Sequence, residues 1–347
     1  MPPGKATPAV EDAMRAGRRA YEAGQFAEAT RHFTKAVTEQ GDYAPGWLHL
    51  GNSRWRRGDR DGAAQAYRRA VEEDPGKGRA WQNLSTVLLA AGAWEEAAAA
   101  AQRAAALEPT SCKGWNNLAA ARHALGDHRG AETALRRALE ADEAFGTSWA
   151  NLGRLLLEER RGEEAEAALK RAFDLGERDP ATRLALVHAM TARGETAGAA
   201  DLLVEGVKAS PSSLDLWLAL GDLRRARGEA AAALDAYEGA ASAAADMGDP
   251  SRERVARRRV LTALSVLRDV VATGDRAAFL ESVDRLRTAV AEAPGPGLAA
   301  DAEVAIARVR VAEATDGRLD PHWIAEVLDG ALRRAEPTRP APSPPRP

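Results

Sequence analysis

His49, Asn83, Asn117 and Asn151 follow one another at intervals of 34 residues. An asparagine amide carries two N–H donors and a carbonyl acceptor, the same pairing chemistry as a peptide main chain. A ladder of such groups could hold an extended segment by its backbone, with little regard to its side chains. Asn52, Arg56, Arg79, Gln82, Lys113, Asn116, His123 and Arg154 surround the ladder in the repeat pattern described below. They give that wall a polar and basic bias, which suits a neutral-to-acidic partner.

Other chemistry finds little support. Gly76-Lys77-Gly78 lacks the upstream glycine and the hydroxyl residue of a phosphate-binding loop, and neither His-Glu-x-x-His nor Cys-x-x-Cys occurs. His123 and His128 lie five apart across a helix–turn junction. With no third ligand evident, they read as surface residues and not as a metal pair. Cys112 is the single cysteine, so it forms no intrachain disulfide and reads as an ordinary surface or junction residue. The sequence therefore implies no enzyme activity, no cofactor and no metal. A net charge of −3 argues against nucleic-acid binding, which needs a basic face. The N-terminal residues lack the apolar core of a secretory signal, and no apolar stretch is long enough to span a bilayer. The expected location is the cytoplasm, without membrane insertion.

The elements that would position the ladder emerge from a second periodicity. Trp47, Trp81, Trp115 and Trp149 are also 34 residues apart, and Trp217 lies two such steps further. In blocks of 34 starting at Ala44, all five fall at position 4. Position 7 is leucine in all six blocks, from Leu50 to Leu220, and position 8 is mostly small. Position 15 reads Gly58, Gly92, Gly126, Arg160, Gly194 and Gly228. Position 20 is alanine throughout, and Pro75, Pro109 and Pro211 occupy position 32. Positions 4, 7, 8 and 11 form one apolar stripe of a first helix. Glycine at 15 ends that helix. Alanine at 20, on a second helix, should face the small residue at 8, and proline at 32 stops the second helix. The indoles should then lie in the core. A helix hairpin of this size cannot bury its apolar face alone, so the hairpins must stack.

A further block from Val10 to Tyr43 keeps Gly17, Gly24, Ala29, Phe33 and Ala36 but has Ala13 for tryptophan. The expected organisation is a disordered N-terminus (1–9) and an array of blocks 10–43, 44–77, 78–111, 112–145, 146–179, 180–213 and 214–247. A degenerate repeat and helical cap (248–335) and a proline-rich disordered tail (336–347) complete it. After Asp249-Pro250 a long helix is expected to about Thr273, a second to about Ala293, and two more over 298–315 and 321–334. Arg252, Arg254, Arg257, Arg258 and Arg259 form a basic cluster on the first of these, read as a solvated face. The Pro342–Pro345 spacing is that of a ligand for proline-binding modules, although a solvated tail is the simpler reading.

The block Gly46-Trp47-Leu48-His49-Leu50-Gly51-Asn52, followed by Gly58-Asp59, Ala63, Tyr67, Ala70, Asp74 and Pro75, closely resembles the tetratricopeptide repeat. The resemblance covers Val10 to Met247, with Arg160 and Arg183 as departures that imply a looser or more polar junction. It implies an all-α, right-handed superhelical solenoid of about seven helix-turn-helix repeats with a C-terminal helical cap. It also implies that positions 2, 5, 6, 9, 12 and 13 line a concave groove. The family's two-carboxylate clamp is matched by Asn52, Asn83 and Lys113, but Leu48 and Asn117 stand where it has basic residues. The implied function is a protein–protein interaction scaffold that holds an extended segment of a partner. A structural subunit of a multiprotein or homo-oligomeric assembly is the alternative.

Overall fold

The computed structural model describes residues 6–273 and 276–291, all of them helix or connecting turn. The expected helices over 298–315 and 321–334, the turn at 274–275 and the proline-rich tail lie outside the described residues. The chain divides into two compact units, the first ending at Arg178 and the second beginning at Asp179.

The first unit holds five helix pairs. They are α1 (Pro8–Glu22) with α2 (Phe26–Glu39), α3 (Ala44–Arg56) with α4 (Arg60–Glu73), and α5 (Gly78–Ala90) with α6 (Trp94–Leu107). Then come α7 (Cys112–Ala124) with α8 (His128–Ala141) and α9 (Gly146–Glu158) with α10 (Gly162–Asp174). The second unit holds α11 (Pro180–Ala192) with α12 (Thr196–Ala209), α13 (Leu214–Ala226) with α14 (Ala230–Ala243), and α15 (Asp249–Thr273) with α16 (Arg276–Ala291). Within each unit every helix packs against the next in sequence, as the 34-residue period requires.

The turn inside each pair is built from local chemistry. Glycines of column 15 sit at positive φ, 80° at Gly58 and 79° at Gly126, where a Cβ is strained. The following amide then reaches back to the helix end, Asp59 to Arg54 O (3.0 Å) and Asp127 to Arg122 O (2.9 Å). The side chains of Asp59 and Asp127 accept from Gly62 N and Gly130 N, capping α4 and α8 (2.9 Å each). Arg160 holds the same left-handed conformation at φ 63°, so the junction keeps its geometry without glycine.

Close approach of the two helices involves the expected columns 8 and 20, as where a Cβ on Gly153 would lie 3.1 Å from Ala165 O, but the tightest contacts are with another column. Column 8 faces column 24. A Cβ on Gly17 would lie 2.5 Å from the Phe33 ring, and one on Gly51 equally close to Tyr67. Gly153 meets Leu169 and Gly221 meets Tyr237 in the same way. Where column 8 is larger, as Ser85, Ala119 and Val187, column 24 is Ala101, Leu135 and Leu203. Column 11 also departs from a purely apolar stripe. Leu88, Leu156 and Met190 are buried there, but Arg54, Arg122 and Arg224 donate to Gly62 O, Gly130 O and Ala232 O on the second helix.

The five indoles are half-buried, not enclosed, and pack on the edges of the apolar clusters. Their position follows from the indole N–H, which needs an acceptor. Trp47, Trp81, Trp115, Trp149 and Trp217 each donate to the main-chain carbonyl six residues earlier. These are Gly41, Pro75, Pro109, Glu143 and Pro211, at 2.6, 2.9, 2.8, 2.8 and 2.8 Å. Each acceptor lies at position 32 of the preceding block, so the column fastens successive pairs together. In the second unit Arg183 replaces the indole, is 4% exposed and donates to Leu202 O (2.7 Å). A Cβ at Gly206 would overlap Arg183 Cδ, so glycine there makes room for the guanidinium.

Candidate functional site

The first helices of successive pairs lie side by side in the first unit, α5 against α7 and α7 against α9. Their facing side chains form the candidate wall. His49 stacks on Phe33, with ring centroids 5.2 Å apart and 20° between planes. Burial lowers its imidazole below the usual pKa, and the charges of Arg18 and Arg79 push the same way. His49, Asn52 and Arg79 share the lining of a hollow of about 430 Å³, with Lys77, Asp74 and Glu108 also around it.

The ladder amides are engaged within the protein. Asn83 Nδ2 donates to Asn52 Oδ1 (2.9 Å), which also accepts from the Tyr67 hydroxyl (2.8 Å). Asn117 Nδ2 lies 2.9 Å from both Ser85 Oγ and Thr86 Oγ1 and 3.3 Å from Gln82 O. Asn151 Nδ2 donates to Asn116 Oδ1 (2.8 Å), and Arg154 donates to Asn151 Oδ1. Each asparagine therefore ties its helix to the first helix of the previous pair. The amide donors that the sequence pattern assigned to a ligand act first as braces between repeats. Among the described residues no donor reaches the Oδ1 atoms of Asn83 and Asn117, which stand as acceptors on this wall.

The cations of the wall differ from one another. Arg56 stacks over the Phe26 ring, with its guanidinium carbon 4.3 Å from the centroid. Gln82 Oε1 accepts from Ser111 (3.0 Å). Arg79 and Lys113 are exposed, and neither has an ion-pair partner among the described residues. Leu48 is buried in the core, and Asn117 is committed to Ser85 and Thr86, so the two unmatched clamp positions offer no cation. The family's clamp is thus matched at Asn52, Asn83 and Lys113 alone.

Sequence reasoning missed the residues that complete these networks: Tyr67, Ser85 and Thr86 at the ladder, and Glu158 beside His123. Glu158 Oε2 lies 2.6 Å from His123 Nε2. A usable signal existed. Partners across successive first helices are separated by 31–35 residues, close to one repeat.

In the second unit the arginine cluster on α15 is largely paired. Arg258 donates to both Asp222 oxygens (2.9 and 3.1 Å), Arg254 to Asp215 (3.2 Å) and Arg252 to Ala245 O, while Arg259 is 5% exposed. Arg252, Arg254 and Arg257 are exposed, as expected of a solvated face, while Arg258 and Arg259 are drawn toward the preceding pair. Among the described residues no helix is long and apolar enough to cross a membrane.

Comparison with known proteins agrees with this architecture. No curated protein matches the chain. A tetratricopeptide repeat protein from Parabacteroides merdae superposes with a TM-score of 0.56 at 17% identity, covering 74% of this chain and 99% of that one. Pseudomonas aeruginosa PilF gives 0.54 at 18% identity, over 60% and 95%. The Cut9–Hcn1 hetero-tetramer of the APC/C gives 0.57 at 17% identity, over 70% of this chain and 48% of that one. At these identities the likeness is one of fold. The model of the family described as the cilia and flagella-associated protein 70 C-terminal domain matches residues 5–257, well over half of the sequence. With its paired helices, recurring turns and repeat columns, the chain belongs to this tetratricopeptide-repeat family.

Proposed function

We propose that the protein is an interaction scaffold, and that the wall of first helices from His49 to Arg154 takes an extended, neutral-to-acidic segment of a protein partner. The observation that carries this reading is the pair of exposed, unopposed cations, Arg79 and Lys113, on one wall with the acceptor oxygens of Asn83 and Asn117. A partner main chain would donate N–H groups to those oxygens, and acidic side chains would meet the two cations. The hollow beside His49 and Arg79 would seat one side chain. Because the asparagine donors are already used, recognition leans on acceptors and charge more than on a full amide ladder.

Fluorescence anisotropy with a panel of labelled, unstructured acidic peptides tests this reading. Arg79→Glu combined with Lys113→Glu should abolish binding, whereas Arg137→Glu, on the second helix α8, should not. Peptide affinity that is identical in all three proteins would remove the groove as the binding site.

A further inference from the structure

His123 is the penultimate residue of α7, and His128 is the first residue of α8. The turn at Gly126 folds the two helices back on each other, leaving the imidazole centroids 5.4 Å apart at 74°. Glu158, the last residue of α9, arrives from the next helix pair. One ligand atom from each of the three residues lies within 4.8 Å of the other two. We propose that His123, His128 and Glu158 form a binding site for a divalent transition-metal ion of the zinc class, bridging two consecutive helix pairs.

The donor set favours that class. Two imidazoles and a carboxylate suit zinc, cobalt or nickel, whereas calcium and magnesium prefer oxygen donors alone. At metal–ligand bonds of about 2.0–2.2 Å, tetrahedral donors stand roughly 3.3–3.6 Å apart. His123 Nε2 and Glu158 Oε2 are 2.6 Å apart, closer than that range, and the three ligand atoms all lie within 4.8 Å of one another. Modest side-chain rotation closes the difference. His123 and Glu158 have that freedom, since their side chains are 43% and 51% exposed. The backbone beneath is fixed by the Gly126 amide donating to His123 O (2.9 Å) and by the Asp127 cap on α8. The ion would replace the His123–Glu158 hydrogen bond and leave a fourth position to water, joining three helices through one centre. A lone pair of histidines five residues apart did not predict this. The third ligand comes from one repeat further on.

Isothermal titration of the full chain with zinc, with cobalt(II) absorption as a second probe, tests the site. The wild type should bind one equivalent and show the visible bands of a tetrahedral cobalt centre. His123→Asn, His128→Asn and Glu158→Gln should each weaken binding more than about tenfold and remove the bands. Circular dichroism of each variant confirms the fold. Saturating zinc should raise the thermal midpoint of the wild type and leave that of His128→Asn unchanged. Absence of zinc binding by the wild type overturns the proposal. So does an equal affinity, or an equal rise in midpoint, in the variants, since the ion would then sit elsewhere.

Discussion

The Tyr237 hydroxyl donates to Asp222 Oδ1 over 2.6 Å, at the same repeat positions where Tyr67 donates to Asn52 over 2.8 Å. The two sites solve one problem in two ways. Burial holds both phenols above their ordinary range, so each must find an acceptor while protonated. At Asn52 the second donor is the neutral amide of Asn83; at Asp222 it is the guanidinium of Arg258. Burial pushes the Asp222 carboxyl up, but the hydrogen bonds from Arg258 and Tyr237 outweigh it and hold the group below the usual carboxylate range.

Asp222→Asn keeps an acceptor for Tyr237 but removes the charge that Arg258 meets. A carboxyl whose pKa is depressed in the folded state stabilises above its unfolded value and loses that contribution as pH falls through the folded one. The variant should be less stable at pH 7, by at most about 1 kcal/mol because the pair is partly solvated. The gap between wild type and variant should close below about pH 4. Urea denaturation across pH measures it, and a gap that persists or widens in acid would contradict the charge pairing.

Arg160 occupies a left-handed conformation that the equivalent positions assign to glycine. Arg160→Gly should stabilise the first unit by about 1 kcal/mol, the local strain relieved being partly offset by a freer unfolded chain. The midpoint of chemical unfolding reports the sign. A destabilised variant would show that the arginine side chain matters more than its backbone.

Gly51→Ala forces a methyl group against the Tyr67 ring. Overpacking of this kind costs about 1–3 kcal/mol. Adding Tyr67→Leu recreates the Ala119–Leu135 pairing found two repeats on, and the double variant should recover part of the loss. Strictly additive effects in a double-mutant cycle would mean that the two positions do not share this space.

Trp81→Phe retains most of the apolar ring and deletes the N–H that reaches Pro75 O. The loss should be about 0.5–1.5 kcal/mol for the hydrogen bond, with some packing added. Thermal or urea unfolding measures it. Full stability in the variant would reduce the indole to a hydrophobic filler.

Replacing Asn83, Asn117 and Asn151 together by alanine should lower stability by about 1 kcal/mol per site while preserving helicity at low temperature. Circular dichroism melts separate this outcome from an unchanged midpoint, which would show the inter-repeat hydrogen bonds to be dispensable.

The helix pairs were legible because tryptophan, leucine and glycine columns at a fixed period report backbone geometry directly. Gly58 and Gly126 announce a turn by what they lack. The role of the indoles was not legible, because it depends on a carbonyl, and every residue type carries one. The sequence period placed the asparagines on successive first helices, yet their hydrogen-bond partners depend on side-chain directions that a column does not encode. Columns 8 and 24 hold a partial size relation, with glycine opposite the rings of Phe33, Tyr67 and Tyr237, whereas leucine in column 24 meets Ala119, Gly153 and Val187 alike. Glu158 was missed because its nearness to His123 follows from stacking, not from sequence proximity.

The indole links have a kinetic meaning. Each one clasps a connecting loop to the helix that immediately follows it, and its reach ends there. Rupture of one clasp leaves the others unstressed, so opening should begin at the free ends of an array and travel inward step by step, as in a linear chain with nearest-neighbour coupling. A partner lying across several steps would resist that fraying in proportion to the number it covers.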